Sequence, residues 1–342
     1  MRVLVTGSEG YIGTLLAPKL KHRGHQVHRL DAGLFRACAF WPVSGPRAVV
    51  WKDIRDVERR DLAGFDALIH LAALSNDPLS DMDPRLTNEI NCEAAVGLAD
   101  MAKAAGVRRF VFSSTCSVYG AQGDTVITET SRTNPLTVYA KSKLQAENDI
   151  GQMASKGFDV IHLRHGTAYG ASPLARFDLV VNNLIAWANT TGRVRLKSDG
   201  SAWRPLVHVE DICLAFSAAL ELELGDVPLR IFNIGKSTDN MQIADLADMI
   251  ARQMNCSVEF AEDAGKDNRS YRVNCGLAEN ELVGFAPQWS LERGIQQVID
   301  MVRACNIDVR DIEGHRYRRV SHLKHLLETG RVGQDLRFPV AA

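Results

Sequence analysis

The sequence lacks the features that direct a chain into a membrane, out of the cell or onto a nucleic acid. No apolar run among its 342 residues approaches the length that crosses a bilayer. The chain opens on a predicted core strand and not on a charged and then apolar leader, so we expect no secretory signal. Its 40 Lys and Arg nearly balance 41 Asp and Glu, and the net charge of -1 gives no reason to expect a nucleic acid or a membrane surface as a partner.

The cysteines also lack the arrangement of structural ligands. There are seven of them, an odd number, and no two stand at the spacing of a metal-binding pair. This usage predicts free thiols in a reducing compartment and no metal site, and we expect a cytoplasmic protein. The sequence contains no internal repeat and no low-complexity segment, and its length is enough for one large domain or two modest ones.

The first thirteen residues join a predicted strand to a glycine-rich turn. The sequence Arg-Val-Leu-Val at 2–5 predicts a buried strand, and it runs into TGSEGYIG at 6–13. Three glycines at this spacing let the backbone turn tightly, let a pyrophosphate approach the amide groups, and let the next helix pack on the strand. The phosphate charge would then lie at a helix N-terminus. The turn predicts a dinucleotide site that includes Gly7, Gly10, Tyr11, Ile12 and Gly13.

The next strands supply further candidate cofactor contacts. The strand predicted at 26–31 ends in Asp31, where a carboxylate would bind the ribose 2′-hydroxyl. This favours NAD over NADP, although Arg29 and Arg36 are near enough that a 2′-phosphate stays an alternative. Other positions at the ends of predicted strands are expected to flank the adenine or let the cofactor lie against the sheet edge: Asp53, Ile54, Leu71, Ala72 and Ala73.

The remaining pattern predicts an α/β fold. Up to about residue 170, short β-branched runs alternate with amphipathic helical stretches, which is typical of a parallel sheet covered on both faces. We predict a Rossmann-type doubly wound sheet over 1–170 and a smaller C-terminal α/β substrate-binding domain over most of 171–342. The predicted strands are 2–5, 26–31, 49–54, 67–71, 110–112 and 160–163, and the predicted helices include 84–105, 135–156, 179–190, 210–223 and 243–254. The tail at 308–337 is predicted to form a closing helix with a solvated basic face.

A tyrosine and a lysine form the candidate catalytic pair. Tyr139 and Lys143 are four residues apart near the start of a predicted helix, so both side chains project from one face. A phenol has a pKa of about 10, and using it as a base near pH 7 needs roughly three pKa units of stabilisation, on the order of 4 kcal/mol. A neighbouring ammonium and the positive nicotinamide ring of NAD⁺ both favour the phenolate.

A run of hydroxyl side chains follows the strand predicted at 110–112. The sequence FSSTCSVYG at 112–120 places Ser113, Thr115 and Ser117 at the carboxyl end of a parallel strand, where open α/β sheets bind ligands. Cys116 lies in the same run.

With these motifs the chain resembles the extended short-chain dehydrogenase/reductase family, specifically its NAD-dependent nucleotide-sugar epimerases and dehydratases. The resemblance runs from TGSEGYIG through HLAA, SSTCSVYG and YAKSK to WRPLVHVED. It implies a tightly bound NAD, a nucleotide-diphosphate sugar as substrate, and a homodimer formed through the helices near 84–105 and 135–156. It also implies that residues 204–235 return to the Rossmann domain.

The same resemblance implies roles for individual residues. Thr115 would bond the sugar hydroxyl, Tyr139 would be the base, and Lys143 would hold both the phenolate and the nicotinamide ribose. Asn91 falls at the place of a cofactor-side asparagine. The other positions expected to contact cofactor or substrate are Ser113 on the cofactor side and Ser75, Thr167, Asn183, Arg204 and Arg269 on the sugar nucleotide, the last two as diphosphate-binding arginines.

Several reactions are compatible with this arrangement. The leading prediction is 4-epimerisation, in which Tyr139 removes a sugar hydroxyl proton, NAD⁺ takes the hydride from carbon 4, and the hydride returns to the opposite face of the keto-sugar. Related dehydratases carry an Asp-Glu pair just before Val-Tyr-Gly, whereas this chain has Cys116 and Ser117 there. Related 3,5-epimerases use a cysteine one position further along, so Cys116 is either a reacting thiol or a buried inert one.

The acids of the loop at 75–83 are compatible with more than one type of reaction. Its acids could reach the sugar, or Asp83 could simply cap the helix that begins with Pro84. A dehydratase or a 3,5-epimerase could use these acids or Cys116, and an NAD(P)H-dependent keto-sugar reductase is a further possibility. A protein of another class, which senses NAD or a sugar nucleotide without catalysis, is the non-enzymatic alternative.

Overall fold

A computed structural model describes residues 1–42, 48–75 and 77–339 of the chain. Its strands are β1 (Arg2–Thr6), β2 (Gln26–Asp31), β3 (Val49–Trp51), β4 (Ala67–His70), β5 (Arg109–Thr115), β6 (Val126–Ile127), β7 (Asp159–His165), β8 (Thr167–Tyr169), β9 (Arg193–Ser198), β10 (Trp203–His208), β11 (Leu229–Ile234), β12 (Asn240–Gln242), β13 (Ser257–Gly265) and β14 (Arg272–Val273). Residue Asn76 of the loop at 75–83 lies outside the described residues.

The helices alternate with the strands in the first half of the chain and dominate the second. They are α1 (Gly13–His22), α2 (Asp77–Ser80), α3 (Pro84–Asn88), α4 (Ala94–Ala104), α5 (Val138–Gly151), α6 (Val180–Thr191), α7 (Val209–Glu221), α8 (Ile243–Met254), α9 (Gly276–Glu281), α10 (Leu291–Ala304), α11 (Val309–Glu313) and α12 (Arg319–Glu328). A π-helical segment, Glu89–Glu93, joins α3 to α4. Among the described residues, no helix is both long and apolar enough to span a membrane.

The main sheet is parallel and has a Rossmann-type strand order. Within the described part of the chain, seven strands pair in the order β11-β7-β5-β4-β1-β2-β3. The chain fills the sheet outward from β1 in one direction and from β4 in the other, so the order reverses between these two strands. Ligands of open α/β sheets bind at such a point, beyond the carboxyl ends of the strands. The turn after β1 and the segment after β4 meet there.

Alternation along the strands builds a core on each face of this sheet. In β1, Val3 and Val5 pack with α1 and α7, whereas Leu4 packs with residues of α4 and α5 on the opposite face. Side chains of a strand point to opposite faces in turn, so a strand covered on both sides is apolar throughout. The same packing places β11 at one edge of the sheet, paired with β7, and α7 beside α1. The segment at 204–235 therefore lies largely against the main sheet.

A second core holds the C-terminal half together. Helices α6, α8 and α10 pack on one another and on the parallel pair β9 and β13. A small sheet of β8, β10 and β12 links this unit to the carboxyl edge of the main sheet. The result is a second layer that covers the point at which the strand order of the main sheet reverses.

One helix and one strand have boundaries that differ from the sequence prediction, and a capping residue stands at each of these boundaries. The helix predicted from residue 135 begins at Val138, because the Thr137 hydroxyl accepts the Ala140 N–H at 3.2 Å. The strand predicted at 49–54 ends at Trp51, and a 3₁₀ turn covers 54–56 with Asp53 as its cap.

The C-terminal helix α12 packs mainly on the dinucleotide-binding half. Leu323 and Leu326 belong to the same apolar core as Leu30 of β2 and Leu79 of α2. The prediction of a solvated basic face was wrong for Arg319, which is buried. The sequence pattern indicated the helix but could not show which of its basic residues face inward.

Candidate active site

A cavity of about 1650 Å³ opens along the carboxyl edge of the main sheet, between the sheet and the C-terminal layer. Almost all of the site residues predicted from the sequence line it. Those lining the cavity are Gly7, Gly10, Tyr11, Ile12, Gly13, Asp31, Asp53, Ile54, Leu71, Ala72, Ala73, Ser75, Ser113, Thr115, Ser117, Tyr139, Lys143, Thr167, Asn183, Arg204 and Arg269. Asn91 and Cys116 lie behind its wall.

The glycine turn makes one end of the cavity a tight backbone cradle. Gly7 has φ +67°, and a Cβ atom there would lie 2.6 Å from the backbone nitrogen of Ala72. A Cβ at Gly13 would lie 2.5 Å from the carbonyl oxygen of Gly7. Side chains at either position would push apart β1, β4 and α1, so the close approach of these elements depends on glycine.

Asp31 is held at the rim of this cradle. Its carboxylate accepts the backbone N–H groups of Glu9 at 2.9 Å and Gly33 at 2.7 Å. Burial raises the pKa of Asp31, and these two hydrogen bonds oppose the rise. Asp53, on the far side of the same end, caps a 3₁₀ turn and forms an ion pair with Arg55 at 2.8 Å. Although burial acts in the other direction, hydrogen bonds from Arg55 hold the pKa of Asp53 below its usual range.

Asn91 is a support for the wall and does not reach the cavity. Its amide accepts the Leu74 N–H at 2.8 Å, donates to the Leu74 carbonyl at 3.1 Å and to the Ser142 hydroxyl at 3.2 Å. The structure thus places Asn91 behind the wall of the cavity, and its contact with the cofactor stays a prediction. Asn91 lies in the π-helical segment, and it pins the end of the segment after β4 to the helix that carries Tyr139.

Tyr139 lines the cavity and has Thr115 as its hydrogen-bond partner. Thr115 is the last residue of β5, and its hydroxyl also accepts the Ser117 N–H at 3.1 Å. Burial raises the pKa of Tyr139 to about 12, and the Arg176 charge and the Thr115 hydrogen bond oppose the rise. The Arg176 charge thus favours the phenolate in addition to the support that the sequence predicts from Lys143 and the nicotinamide ring.

Lys143 lies one helical turn from Tyr139 in an apolar environment. It is 2% exposed, and its Nζ lies 4.0 Å from the centre of the Phe112 ring. Burial lowers its pKa to about 7, and the Glu147 carboxylate opposes that effect. His165, which bonds the Ser113 hydroxyl at 2.7 Å, has its pKa lowered to about 3 by burial and by Lys143. The imidazole is therefore neutral beside the ammonium.

Cys116 turns away from the cavity. It is 1% exposed and donates its thiol hydrogen to the Arg164 carbonyl, with sulfur and oxygen 3.0 Å apart. Burial raises the pKa of the thiol well above its usual value. Its neighbour Ser117 does line the cavity, with its hydroxyl 3.4 Å from that of Tyr271. Related dehydratases have acids at the positions of Cys116 and Ser117. Of these two residues, Ser117 faces the site, and it carries a hydroxyl.

Two arginines occupy the other end of the cavity, and both are paired with carboxylates. Arg204 donates to Asp267 at 2.6 Å, and Arg269 donates to the same carboxylate at 2.8 Å. Arg269 also forms an ion pair with Asp77 of α2, on the opposite side of the cavity. Guanidinium groups match the oxygens of phosphates as well as those of carboxylates.

Arg176 is a cavity residue that the sequence did not reveal. It donates to the hydroxyl of Ser75 at 3.1 Å and to the carbonyl of Ser75 at 3.2 Å, and it forms an ion pair with Asp178 at 2.5 Å. Asn183 closes the same wall by donating to the Phe177 carbonyl at 2.6 Å. No sequence signal marks Arg176, because it stands in an irregular loop after β8 and only the fold brings it near Tyr139.

The comparisons with known proteins agree with this geometry. The model of the NAD dependent epimerase/dehydratase family matches residues 3–235. The chain belongs to this family. A UDP-glucose 4-epimerase of Corynebacterium glutamicum is 31% identical over 306 residues, which make up 84% of this chain and 91% of that protein. The family is NAD-dependent, so this chain is an NAD-dependent enzyme with NAD as its cofactor.

Solved structures of other proteins share this fold. A structure of MoeE5 in complex with UDP-glucose and NAD has a TM-score of 0.77 at 26% identity and covers 90% of this chain and 100% of that chain. The NAD-dependent NDP-hexosamine 5,6-dehydratase TunA has a TM-score of 0.79 at 25% identity and covers 91% of this chain and 100% of that chain.

The glycine end of the cavity fits the cofactor of the family. The cradle at Gly7 and Gly13 excludes a Cβ, as a close approach of pyrophosphate to backbone amides requires. Asp31 lines the cavity at the end of β2, where a ribose hydroxyl would find a carboxylate. NAD would be held there by the turn, by Asp31 and by the small residues Ala72 and Ala73, and when bound it supplies a hydride acceptor.

Proposed function

We propose that the protein is a nucleotide-sugar 4-epimerase that acts through a transient 4-keto sugar, with Tyr139 as the base. The observation that carries this proposal is that a single cavity joins the dinucleotide cradle, the Tyr139 and Thr115 pair, and the two arginines at the far end. A sugar linked to a diphosphate would span the last two, with its reacting hydroxyl beside the phenol.

Each side chain then has a physical task. Thr115 orients the sugar hydroxyl and the phenol through the hydrogen bond that it shares with Tyr139. Tyr139 accepts the hydroxyl proton, which requires its pKa to fall from about 12 in the protein alone, and Arg176 and the charged form of Lys143 both favour the phenolate. Arg204 and Arg269 bind the diphosphate after exchanging a carboxylate partner for phosphate oxygens.

The relatives favour this substrate class. The protein from Corynebacterium glutamicum is a UDP-glucose 4-epimerase, and MoeE5 was solved with UDP-glucose. Other relatives include a UDP-glucuronate 4-epimerase of Arabidopsis thaliana, 27% identical over 330 residues. All of these act on or bind a nucleotide-diphosphate sugar, which supports the same class here without fixing the base or the sugar.

The acids of the cavity favour epimerisation over elimination of water. Cys116 faces the Arg164 carbonyl and Ser117 carries no carboxyl group, so the two positions used as acid and base by related dehydratases are not acidic. Asp178 and Asp267 are paired with arginines. A carboxylate held in an ion pair has a lowered pKa and is a poor proton donor near pH 7.

Dehydration is the second candidate, and one observation favours it. Asp77 is near enough to Tyr139 to raise the pKa of the phenol, so a carboxyl group does face the reacting end of the site. TunA, whose fold is similar, is a dehydratase. If Asp77 left Arg269 on substrate binding, it could take the part of the missing acid.

The test is to incubate the holoenzyme, without added cofactor, with UDP-, dTDP- and GDP-sugars in D₂O and to follow the products by NMR and mass spectrometry. We expect a product of unchanged mass, inverted at carbon 4 and without solvent deuterium on carbon, because the hydride stays within the site. Deuterium at carbon 3 or 5 would indicate a 3,5-epimerase, and a dehydratase product would lack one water. A keto-sugar reductase would leave this panel unchanged and would act only on a 4-keto nucleotide sugar supplied together with NAD(P)H.

The matched control is Tyr139→Phe, which keeps the ring and removes the base. We expect its turnover to fall by about 10²–10⁴-fold while bound NAD and the melting temperature change little. Turnover that survives this substitution would contradict the proposed role of Tyr139.

We also propose a homodimer formed through α4 and α5, which sedimentation equilibrium would test.

A further inference from the structure

Arg319 of the C-terminal helix reaches into the dinucleotide end of the cavity. Its residue surface is 5% exposed, and it lines the cavity together with Asp31, Leu34 and Phe35. The guanidinium lies over the Phe35 ring, 4.0 Å from the ring centre, and Nη2 donates a long hydrogen bond of 3.5 Å to the Leu174 carbonyl. The other terminal nitrogen, Nη1, is buried and has no hydrogen-bond partner among the described residues.

The position of Arg319 is fixed by the packing of α12. One turn along the helix, His322 bonds the Leu34 carbonyl through Nε2 at 3.0 Å and tilts against the Phe35 ring. Leu323 and Leu326 are buried in the core of the dinucleotide-binding half. The helix thus covers the segment that follows β2, and the charged side chain of Arg319 is buried beneath the helix.

The surroundings of Arg319 contain too little negative charge to balance it. Burial lowers the pKa of Arg319 to about 10, Cys38, Asp178 and Asp31 oppose this effect, and the Arg176 charge acts in the same direction as burial. Asp31 already accepts two backbone N–H groups. A guanidinium with a free donor in a buried site costs stability unless an anion completes its hydrogen bonds.

A short series of hydrogen bonds connects Arg319 to the glycine turn. The Leu174 N–H meets the Ser172 hydroxyl at 3.3 Å, and that hydroxyl donates to the Tyr11 carbonyl at 2.8 Å. Leu174 is also the residue whose carbonyl meets Arg319. Arg319 therefore lines the same end of the cavity as Asp31, and Leu174 and Ser172 connect it to the turn at which the cofactor phosphates would lie.

We propose that Arg319 is a further cofactor-binding residue, and that its guanidinium binds the pyrophosphate oxygens of NAD from the side opposite the glycine turn. The C-terminal helix would then hold the cofactor as well as close the fold. A guanidinium suits this task because its N–H groups form a planar fork that matches phosphate oxygens. The inference concerns the cofactor alone and does not depend on which sugar the enzyme uses.

The experiment compares Arg319→Met with Arg318→Met in the NAD-loaded protein. Arg318 is the exposed neighbour at the start of α12, so its substitution removes the same charge from the same helix end. The first measurement is the rate at which bound NAD exchanges with isotopically labelled NAD. The second is the concentration that displaces half of the bound NAD, measured for ADP-ribose and for adenosine. The advantage of ADP-ribose is the factor by which its concentration is lower than that of adenosine.

For Arg319→Met we expect exchange to accelerate at least about tenfold, and the advantage of ADP-ribose over adenosine to shrink by a similar factor, because a charge-assisted bond to phosphate is lost. Arg318→Met should change neither by more than about twofold. Faster exchange with an unchanged advantage of ADP-ribose would mean that Arg319 only supports the wall, and would overturn the proposal. Unchanged exchange would overturn it as well.

A second variant protects the test against loss of the fold. Arg319→Gln keeps a hydrogen-bonding end and removes the charge, and the advantage of ADP-ribose over adenosine in displacing NAD should shrink in this variant as it does in Arg319→Met. If either variant instead lost binding of NADP while its exchange of NAD stayed unchanged, the arginine would read a 2′-phosphate, and the proposal would be wrong.

Discussion

Arg269 and Asp77 form an ion pair across the active-site cavity. Arg269 belongs to the C-terminal layer and is held by Asp267 through three of its N–H groups, counting the backbone, whereas Asp77 begins the short helix that follows β4. The pair lies between Tyr139, whose pKa Asp77 raises, and the diphosphate end. A diphosphate that binds Arg269 must therefore compete with a carboxylate of the protein.

This competition predicts that Asp77→Asn binds nucleotide diphosphates more tightly. The variant removes the carboxylate that Arg269 must release, and since both side chains are partly exposed we expect a gain of about three- to tenfold in affinity for UDP or its counterpart. Isothermal titration with the holoenzyme measures it. Asp81→Asn, an exposed acid of the same loop, is the control and should leave the affinity unchanged. Weaker binding to Asp77→Asn would show that the carboxylate itself contacts the ligand.

The parts of the site that could be predicted from the sequence are those fixed by local rules. The turn at Gly7 needs a left-handed backbone and a close approach of the segment after β4. The spacing of the three glycines indicates both requirements. Thr115 and Asp31 end parallel strands, and the carboxyl ends of such strands meet at one edge. Tyr139 and Lys143 share a helix face by their spacing alone.

The parts that could not be predicted depend on packing between distant segments. Arg176 and Arg319 come from a loop and a late helix, and only the closed fold brings them to the cavity. Cys116 turns inward because a 3₁₀ turn follows Thr115 directly, and Asn91 turns inward because its helix passes through a π-helical segment. Both irregular turns change the direction of a side chain relative to regular geometry, which a residue pattern does not reveal.

Glu147 is predicted to be a main support of the helix that carries Tyr139. It pairs with Arg164 and accepts the Ser114 hydroxyl at 2.5 Å, and the side chains of the ion pair are 2% and 5% exposed, respectively. Glu147→Ala would leave the Arg164 guanidinium buried without its counter-ion, and we expect a loss of about 3 kcal/mol in the free energy of unfolding. Urea denaturation measures this loss.

The control for this variant lies one residue along the helix. Asn148→Ala alters an exposed position of α5 and should change the free energy of unfolding by less than about 0.5 kcal/mol. A loss below about 1 kcal/mol for Glu147→Ala would mean that Arg164 finds another partner, and the assigned role would fail.

Cys116 is predicted to be dispensable for turnover. Its thiol faces the Arg164 carbonyl, away from the cavity, and its raised pKa keeps it protonated. Cys116→Ala removes one buried sulfur and should keep the rate within about threefold of the wild-type rate at a cost of roughly 1 kcal/mol of stability. A steady-state assay with the sugar nucleotide that the enzyme turns over measures the rate. A fall of a hundredfold or more would favour the 3,5-epimerase mechanism over 4-epimerisation.

Lys143 is predicted to make the stability of the protein rise with pH. Burial lowers its pKa from the usual 10.5 to about 7, so between these values the unfolded chain binds a proton that the folded chain has lost. Stability therefore rises with pH across this window, and below pH 7 the fold bears the full cost of a buried ammonium. Lys143→Met removes that cost. Its advantage in free energy of unfolding over the wild type should be largest near pH 6.5 and fall by about 2 kcal/mol by pH 9.

Urea denaturation of both proteins across this pH range measures the difference. Lys141→Met, at an exposed position of the same helix, should show a difference from wild type that stays constant over the range. A constant difference for Lys143→Met as well would mean that the lysine is charged throughout, with a counter-ion that offsets its burial. In that case Lys143 would supply a permanent positive charge to the phenol of Tyr139, and the pH dependence of turnover would belong to the tyrosine alone.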